Sequence, residues 1–485
     1  MTALLMPPID QSVIERRDEI VAGLVAILGE KGVISAEDER RAYETDALTA
    51  YRAVPLAVAL PSSTEEVSAT LRYLGEKGVK VVPRGAGTSL SGGALPSPDC
   101  VVLGLARMNR ILDIDYKNRV ATVEAGVTNI NISNAVSGRG FFYAPDPSSQ
   151  LACTIAGNIA MNSGGAHCLK YGVTTNNVLG LKMVLIDGQV IEIGGDALDA
   201  PGYDLLGLVI GSEGQFGVVT EVTVRILRAA EGALPMLIGF SKAEEAGECV
   251  AAIIASGVIP VAIEYMDGPA VKACEAFAHA GYPLDVEALL IVEVEGSPAE
   301  IKDLIGRITK IAERFKPPTL RVSKSEAESA AIWKGRKAAF GAMGQIADYL
   351  CMDGVIPTGR LPHVLRRTGE ICASYGLAVS NIFHAGDGNL HPLILYDANK
   401  PGDIEKAEQA GADVLKLCVE VGGCLTGEHG VGVEKRDLMT VQFNADDLAQ
   451  QMRIKSVFDP DWLLNPAKVF PLEGRPEAAL KSVAA

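Results

Sequence analysis

The stretch Pro83 to Gly93, PRGAGTSLSGG, constrains the fold of this 485-residue chain more than any other. Four glycines and two serines in eleven residues exclude both a helix and a packed central strand. What precedes it is regular. PLAVAL reads as a short apolar strand, and Ser63-Thr64-Glu65-Glu66 has the spacing of a capping box. Val67, Leu71 and Leu74 then share one helical face, Gly78 stops the helix, and VKVVP reads as a second strand. A βαβ unit therefore ends in a bare loop. Its glycines permit φ > 0 and close backbone approach, its consecutive amides can form an anion-binding nest, and Thr88, Ser89 and Ser91 add hydroxyls. Such a loop suits a pyrophosphate. It has no GK[ST] and lacks the GxGxxG spacing, so neither a Walker loop nor a common dinucleotide fingerprint explains it.

Two further segments of this kind follow, TIAGNIAMNSGG (154–165) and GSEGQFGVV (211–219). Three bare loops point to an elongated, phosphate-bearing cofactor. Between them CVVLGL, RILDIDY and RVATVEAG read as strands, residues 127–137 as a helix, and NNVLGLKMVLIDGQVIEIGG as a hairpin turning at Asp187-Gly188. RAAEGALP interrupts the pattern near 228–235. From 235 to 435 helix-like stretches such as SKAEEAGECVAAIIASG alternate with strand-like ones such as PVAIEYM and ALLIVEVEG, the pattern of an α+β domain. The expected division is a helical lead-in (1–47), a cofactor domain (48–228), a substrate domain (229–470) whose end returns to the cofactor, and a short tail (471–485).

The chain is 48% hydrophobic, yet no apolar run approaches the ~18 residues of a membrane span. The apolar patch at the amino terminus is too short for a signal peptide. A net charge of −16 disfavours nucleic acid or an anionic membrane surface as the main partner, since both need a basic footprint. Nine scattered cysteines carry neither a CxxC pair nor an iron–sulfur spacing, and read as reduced, buried thiols of a cytoplasmic protein.

Six histidines are present, and two of them bracket HAGDGNLH, His384 to His391. The octet is too rich in glycine to be helical and lies between VSNIF and PLILY, which read as strands. A turn there can bring both imidazoles to one side. Two neutral histidines and a carboxylate form an open three-ligand site for a divalent ion. GEHGVGVEK offers Glu428 and His429, and spacing alone does not choose between them, because neighbours on extended backbone point in opposite directions. His167 lies near the second loop; His279 and His363 read as solvated or core residues.

The ordered set PRGAGTSLSGG, PDPSS, TIAGNIAMNSGG and GSEGQFGVVTEVTVRI resembles the FAD domain of the vanillyl-alcohol oxidase and para-cresol methylhydroxylase superfamily. HAGDGNLHPLILYD and GEHGVGVEKRDLM resemble the carboxy-terminal half of its D-2-hydroxy-acid dehydrogenase branch, whose members include the FAD subunit of bacterial glycolate oxidase, D-lactate and D-2-hydroxyglutarate dehydrogenases. The resemblance runs from about residue 48 to 470. It implies an α+β fold, with a two-subdomain FAD domain followed by an α+β substrate domain.

It also implies FAD contacts at Pro83, Arg84, Gly85, Ala86, Gly87, Thr88, Ser89, Gly92 and Gly93 of the first loop. Further contacts fall at Pro145 and Asp146, then at Thr154, Gly157, Asn158, Asn162, Gly164 and Gly165 of the second loop. Gly214, Gly217, Val218 and Val219 of the third, and Asn465 in the tail segment, complete the set. The first loop holds no histidine, and FAD is expected to be non-covalent, although Cys153 lies in the cofactor region.

By the same likeness His384, His391 and Glu428 hold one divalent ion (zinc, manganese or iron), His429 is the base, and Arg336 in AIWKGRKAAF clamps the substrate carboxylate. Relatives that take longer diacids have a lysine near DYLCMDG, where this chain has Cys351; the departure favours a small monocarboxylate. The expected reaction is oxidation of a small 2-hydroxy acid, glycolate or D-lactate. Electrons would pass to an external acceptor or to partner subunits, a second flavoprotein and an iron–sulfur protein, which could hold the chain at the periphery of the inner membrane. The alternatives are a D-2-hydroxyglutarate-type dehydrogenase and a flavin-binding, non-catalytic subunit.

Overall fold

A computed structural model describes residues 6–197 and 202–472. The chain divides into two compact units. The first comprises the described residues up to Ser163, Val173–Arg228, and those from Glu428 on; the second comprises Gly164–Gly172 and Ala229–Gly427.

In the first unit, β1 (Val33–Ile34), β2 (Ala57–Ala59), β3 (Lys80–Arg84) and β4 (Cys100–Gly104) form one sheet in the order β1-β2-β4-β3. β2 and β3 both run parallel to β4, as a βαβ crossover demands. The connecting helix α2 (Thr64–Glu76) follows α1 (Arg17–Leu28) in the chain. Ser63 accepts the Glu66 N–H at the start of α2, but the Glu66 carboxylate turns back to the Ser62 N–H at 2.7 Å, one residue earlier than a capping box requires. Val67, Leu71 and Leu74 are fully buried and share one core with Ile20 and Leu24 of α1. That common burial packs α1 against α2 within this unit.

A second, antiparallel sheet joins β5 (Ile111–Asp115), β6 (Val120–Glu124), β7 (Val178–Val184), β8 (Val190–Gly194) and β9 (Val218–Arg225) in the order β5-β6-β9-β7-β8. The β7–β8 hairpin turns at Asp187-Gly188, where Gly188 has φ +82° and the Asp187 carboxylate accepts the Gln189 N–H. Asn129–Ser137 is α3 and Ile155–Met161 is α4. The segment VFDPDWLLNPAKVFP also packs within this unit: Asn465 N–H bonds to the Val81 carbonyl and Val469 N–H to that of Gly432. Of the expected tail, 473–485 lie outside the described residues.

The second unit is built on one large antiparallel sheet. Its strands are β10 (Gly232–Phe240), β11 (Ala262–Asp267), β12 (Ala288–Gly296), β13 (Thr319–Val322), β14 (Asp348–Cys351), β15 (Gly354–Val355), β16 (Ala378–His384), β17 (Asn389–Leu390) and β18 (Pro392–Tyr396). They run in the order β13-β10-β12-β11-β16-β17-β15, and β18 pairs with β14 and β16. Strand alternation splits its residues between two cores. Tyr265, Leu290, Val292 and Phe383 face one, with α5 (Ala243–Ala255). Met266, Leu289, Ile291 and Ile382 face the other, with α6 (Gly268–Ala278) and α7 (Glu326–Lys337).

Candidate active site

On the second of these faces the period of two places Glu264, Glu293 and His384 in line with Met266, Ile291 and Ile382. The face that is apolar along most of its length therefore ends in two carboxylates and an imidazole. Glu264 lies opposite His384 in the β11–β16 register. Its Oε1 accepts from His384 Nδ1 at 2.8 Å, and its Oε2 meets Arg336 Nη2 at 2.6 Å. Arg336 comes from the last turn of α7, where Gly335 lets the helix approach Tyr282 and Ala280. Lys334 and Lys337 of the same turn are exposed, whereas Arg336 is only 4% exposed. Arg336 is therefore not one of a solvated basic face. Burial alone would raise the Glu264 pKa, but the charges of His384 and Arg336 outweigh it and hold the carboxyl below its ordinary value.

His384 ends β16, the chain turns with Gly388 at φ +81°, and His391 leads into β18. The two imidazole centroids come to 5.2 Å with planes at 80°. His391 Nε2 lies 3.5 Å from Asp353 Oδ1. Asp353 is fully buried, and its other oxygen accepts from the Thr426 hydroxyl and the Gly427 N–H. One turn before Arg336, Trp333 Nε1 donates to Glu293 at 2.7 Å, and His167 Nε2 lies 3.1 Å from the same carboxylate. His167, expected near the second glycine loop, is thus held with Trp333 by a strand residue. Cys351 is buried at the end of β14.

In the first unit the glycine loops back one another. A Cβ on Gly85 would stand 2.2 Å from Thr154 Oγ1, and Gly87, with φ +74°, would put one 2.1 Å from the Arg84 guanidinium. Arg84 itself donates to the Thr45 carbonyl. Gly92 backs onto Val433, and the Gly93 carbonyl accepts from Asn465 Nδ2, which also donates to the Glu213 carbonyl at 2.6 Å. Gly214 lies against Pro83, Gly217 against Met183, and Val218 and Val219 open β9. Ala86 is exposed, while Thr88 and Ser89 are half-buried.

In the second loop Asn158 is buried and accepts from Asn129, whose amide also donates to the Pro145 carbonyl. Asn162 caps α4 at φ +50° and accepts the Thr175 N–H. Gly157 follows two residues into α4, and Asp146 is half-buried. Gly164 and Gly165 open the segment that packs with the second unit. Burial pushes the Cys153 thiol up, and the Glu428 carboxylate adds to that rise.

Glu428 and His429 begin the last stretch of the first unit, and the loop after them is held on both sides. Ser91 Oγ donates to the His429 carbonyl at 2.9 Å. Glu213 accepts the Val431 N–H at 2.7 Å and the Gly432 N–H at 2.8 Å. Gly430 and Gly432 have φ +83° and +52°, and a Cβ on Gly432 would stand 2.1 Å from the Ser91 carbonyl.

Both implied groups suit the residues present. For FAD, the loops are stripped of side chains where Cβ atoms would collide, and among the described residues the buried Thr154 hydroxyl has no hydrogen-bond partner. For a divalent ion, two buried imidazoles lie together, and one meets a carboxylate through Nδ1, the arrangement that commonly orients a metal-binding histidine. Sequence reasoning missed Glu264, Asp353 and Glu213. The available signals were a lone acid inside an apolar strand (PVAIEYM) and an acid set between glycines (GSEGQFG).

Residues 55–194 match the family described as FAD binding domain, and residues 234–469 match FAD linked oxidases, C-terminal domain. Glycolate oxidase subunit GlcD of Escherichia coli (strain K12) is 47% identical over 468 residues, covering 96% of this chain and 92% of that protein. D-lactate dehydrogenase of Archaeoglobus fulgidus is 34% identical over 447 residues, covering 90% of this chain and 96% of that protein. Among solved structures, 4-ethylphenol oxidase from Gulosibacter chungangensis has a TM-score of 0.80 at 18% identity, covering 97% of this chain and 100% of that one. For p-cresol methylhydroxylase the TM-score is 0.78 at 16% identity, covering 98% and 100%. The fold is of the para-cresol methylhydroxylase type, as the loop order implies.

Proposed function

This chain belongs to the FAD-linked oxidase family that includes glycolate oxidase subunit GlcD and D-lactate dehydrogenase, and from that premise we propose that it oxidises a small 2-hydroxy acid, glycolate or D-lactate, to the 2-oxo acid. The observation that carries the choice of substrate class is the buried Arg336. A guanidinium has five donors in a planar fork. Here one carboxylate, Glu264, meets Nη2, and among the described residues Nε has no hydrogen-bond partner. Spare donors on a buried cation suit a guest carboxylate.

When bound, FAD supplies the two-electron acceptor, and a divalent ion would supply the charge that acidifies the 2-hydroxyl. His384, His391 and Glu428 would hold that ion. Arg336 orients the carboxylate and so fixes which face of C2 is presented. His429, kept in place through its carbonyl by Ser91, accepts the hydroxyl proton. The pyrophosphate of FAD is assigned to the amides of residues 85–93, with the second and third loops and Asn465 behind them.

The nine cysteines are free thiols without cluster spacing, so electrons leave the flavin to an external acceptor or to partner subunits, a second flavoprotein and an iron–sulfur protein. No helix among the described residues is long and apolar enough to cross a membrane. We place the chain in the cytoplasm, reaching the inner membrane only through such partners. The test is anaerobic mixing of the FAD-loaded protein with a panel of D- and L-2-hydroxy acids, following the bleaching of the flavin. Glycolate or D-lactate should reduce it fastest. A flavin that no 2-hydroxy acid bleaches would overturn the assignment.

A further inference from the structure

Glu264 touches both Arg336 and His384. It lies on β11 with no exposure, and its two oxygens are divided between them: Oε1 accepts from His384 Nδ1 at 2.8 Å, and Oε2 meets Arg336 Nη2 at 2.6 Å. An ionised carboxylate can only accept, so Nδ1 carries the hydrogen, and a ring that binds an ion in its neutral form does so through the lone pair on Nε2. Both partners are themselves buried, His384 at 5% and Arg336 at 4% exposure, so neither charge is screened by bulk water.

We propose that Glu264 is a positioning residue that couples the two halves of substrate recognition, so that a carboxylate bound at Arg336 tightens the hold of His384 on a divalent ion. It rests on the roles given above to Arg336 and His384. With no guest, Glu264 neutralises the guanidinium and orients the imidazole at once. A guest carboxylate takes over part of the guanidinium, and the Glu264 charge then acts more fully on the Nδ1 hydrogen. The Nε2 lone pair becomes a stronger donor, as it does when a carboxylate backs a metal-bound histidine. Coupling of this kind is reciprocal: the ion must tighten carboxylate binding by the same factor. The site would thereby favour molecules that offer both a carboxylate and an adjacent hydroxyl.

The test uses the full chain loaded with FAD, and zinc affinity measured by competition with a chromophoric chelator, with and without saturating propionate. Propionate has the carboxylate but no 2-hydroxyl, so it engages Arg336 without being oxidised. In the parent protein propionate should tighten zinc by about 5-fold or more. Glu264→Gln should weaken zinc about 10- to 100-fold, with FAD content kept, and abolish the propionate effect. Glu264→Asp keeps the charge but is too short to span both partners; it should recover part of the zinc affinity and none of the coupling. Should Glu264→Gln fail to hold FAD, the parent measurement still decides. A parent that binds zinc indifferently to propionate overturns the coupling and leaves the functional reading standing. So does Glu264→Gln with parental zinc affinity and coupling. A parent that binds no zinc or other divalent ion sinks the metal reading first, and the coupling with it.

Discussion

Glu213→Gln separates positioning of the His429 loop from the stability of the unit that carries it. The carboxylate is buried and accepts two backbone N–H groups, from Val431 at 2.7 Å and Gly432 at 2.8 Å. An amide replaces one acceptor by an NH₂ group, so one of those two N–H donors would face another donor. A hydrogen bond to a charged group contributes about 1.5–3 kcal/mol, and at ~1.36 kcal/mol per decade its loss corresponds to a ~10- to 10²-fold fall in the population of the held loop. A second effect opposes this in global stability. Burial, the largest influence on Glu213, raises its folded pKa above the ordinary value, with the Val431 and Gly432 bonds pulling the other way. A carboxyl with a raised folded pKa contributes stability below its unfolded pKa and loses it as pH rises through the folded value, so at neutral pH the ionised form costs stability. Glutamine removes that cost. The expected outcome is a thermal midpoint close to the parent, unchanged FAD content, and flavin reduction by substrate slowed ~10- to 10²-fold. Rapid anaerobic mixing alongside thermal unfolding reads both quantities. Reduction at the parental rate would refute the clamp; a large fall in midpoint with loss of FAD would make Glu213 a core residue and nothing more.

Three further outcomes are expected. His429→Asn should slow flavin reduction by about 10²- to 10⁴-fold with FAD retained, the usual cost of losing a general base, and a rate within a few-fold of the parent would remove that role. Cys153, whose thiol is pushed up by burial, should resist alkylation at neutral pH, and acid should release the flavin from the precipitated protein; a coloured pellet would show a covalent link. Lys468 is buried with its pKa lowered, chiefly by burial, to about 8. Between there and its ordinary value the unfolded chain holds a proton that the folded one has released, so stability should rise with pH over that window by up to about 3 kcal/mol. Lys468→Met should flatten that rise, as measured by denaturant unfolding from pH 7.5 to 10 (a range of about the pKa window).

Periodicity and loop chemistry are properties of neighbouring residues, and the chain stated them openly. The helix at Thr64–Glu76, the hairpin turn at Asp187-Gly188 and the bare loop after Arg84 follow from apolar spacing and from glycines that take φ > 0. The turn that brings His384 and His391 together was legible for the same reason: two strands flank a glycine-rich octet. What no local pattern could state was which acid meets which base. Glu264 finds His384 across 120 residues because β11 and β16 pair in that register, and Glu213 finds the Val431 amide across 218. A charged residue in an apolar strand reads locally as a fault. Register decides whether it faces a partner, and register is set by the packing of whole faces against their cores, which only the tertiary structure fixes.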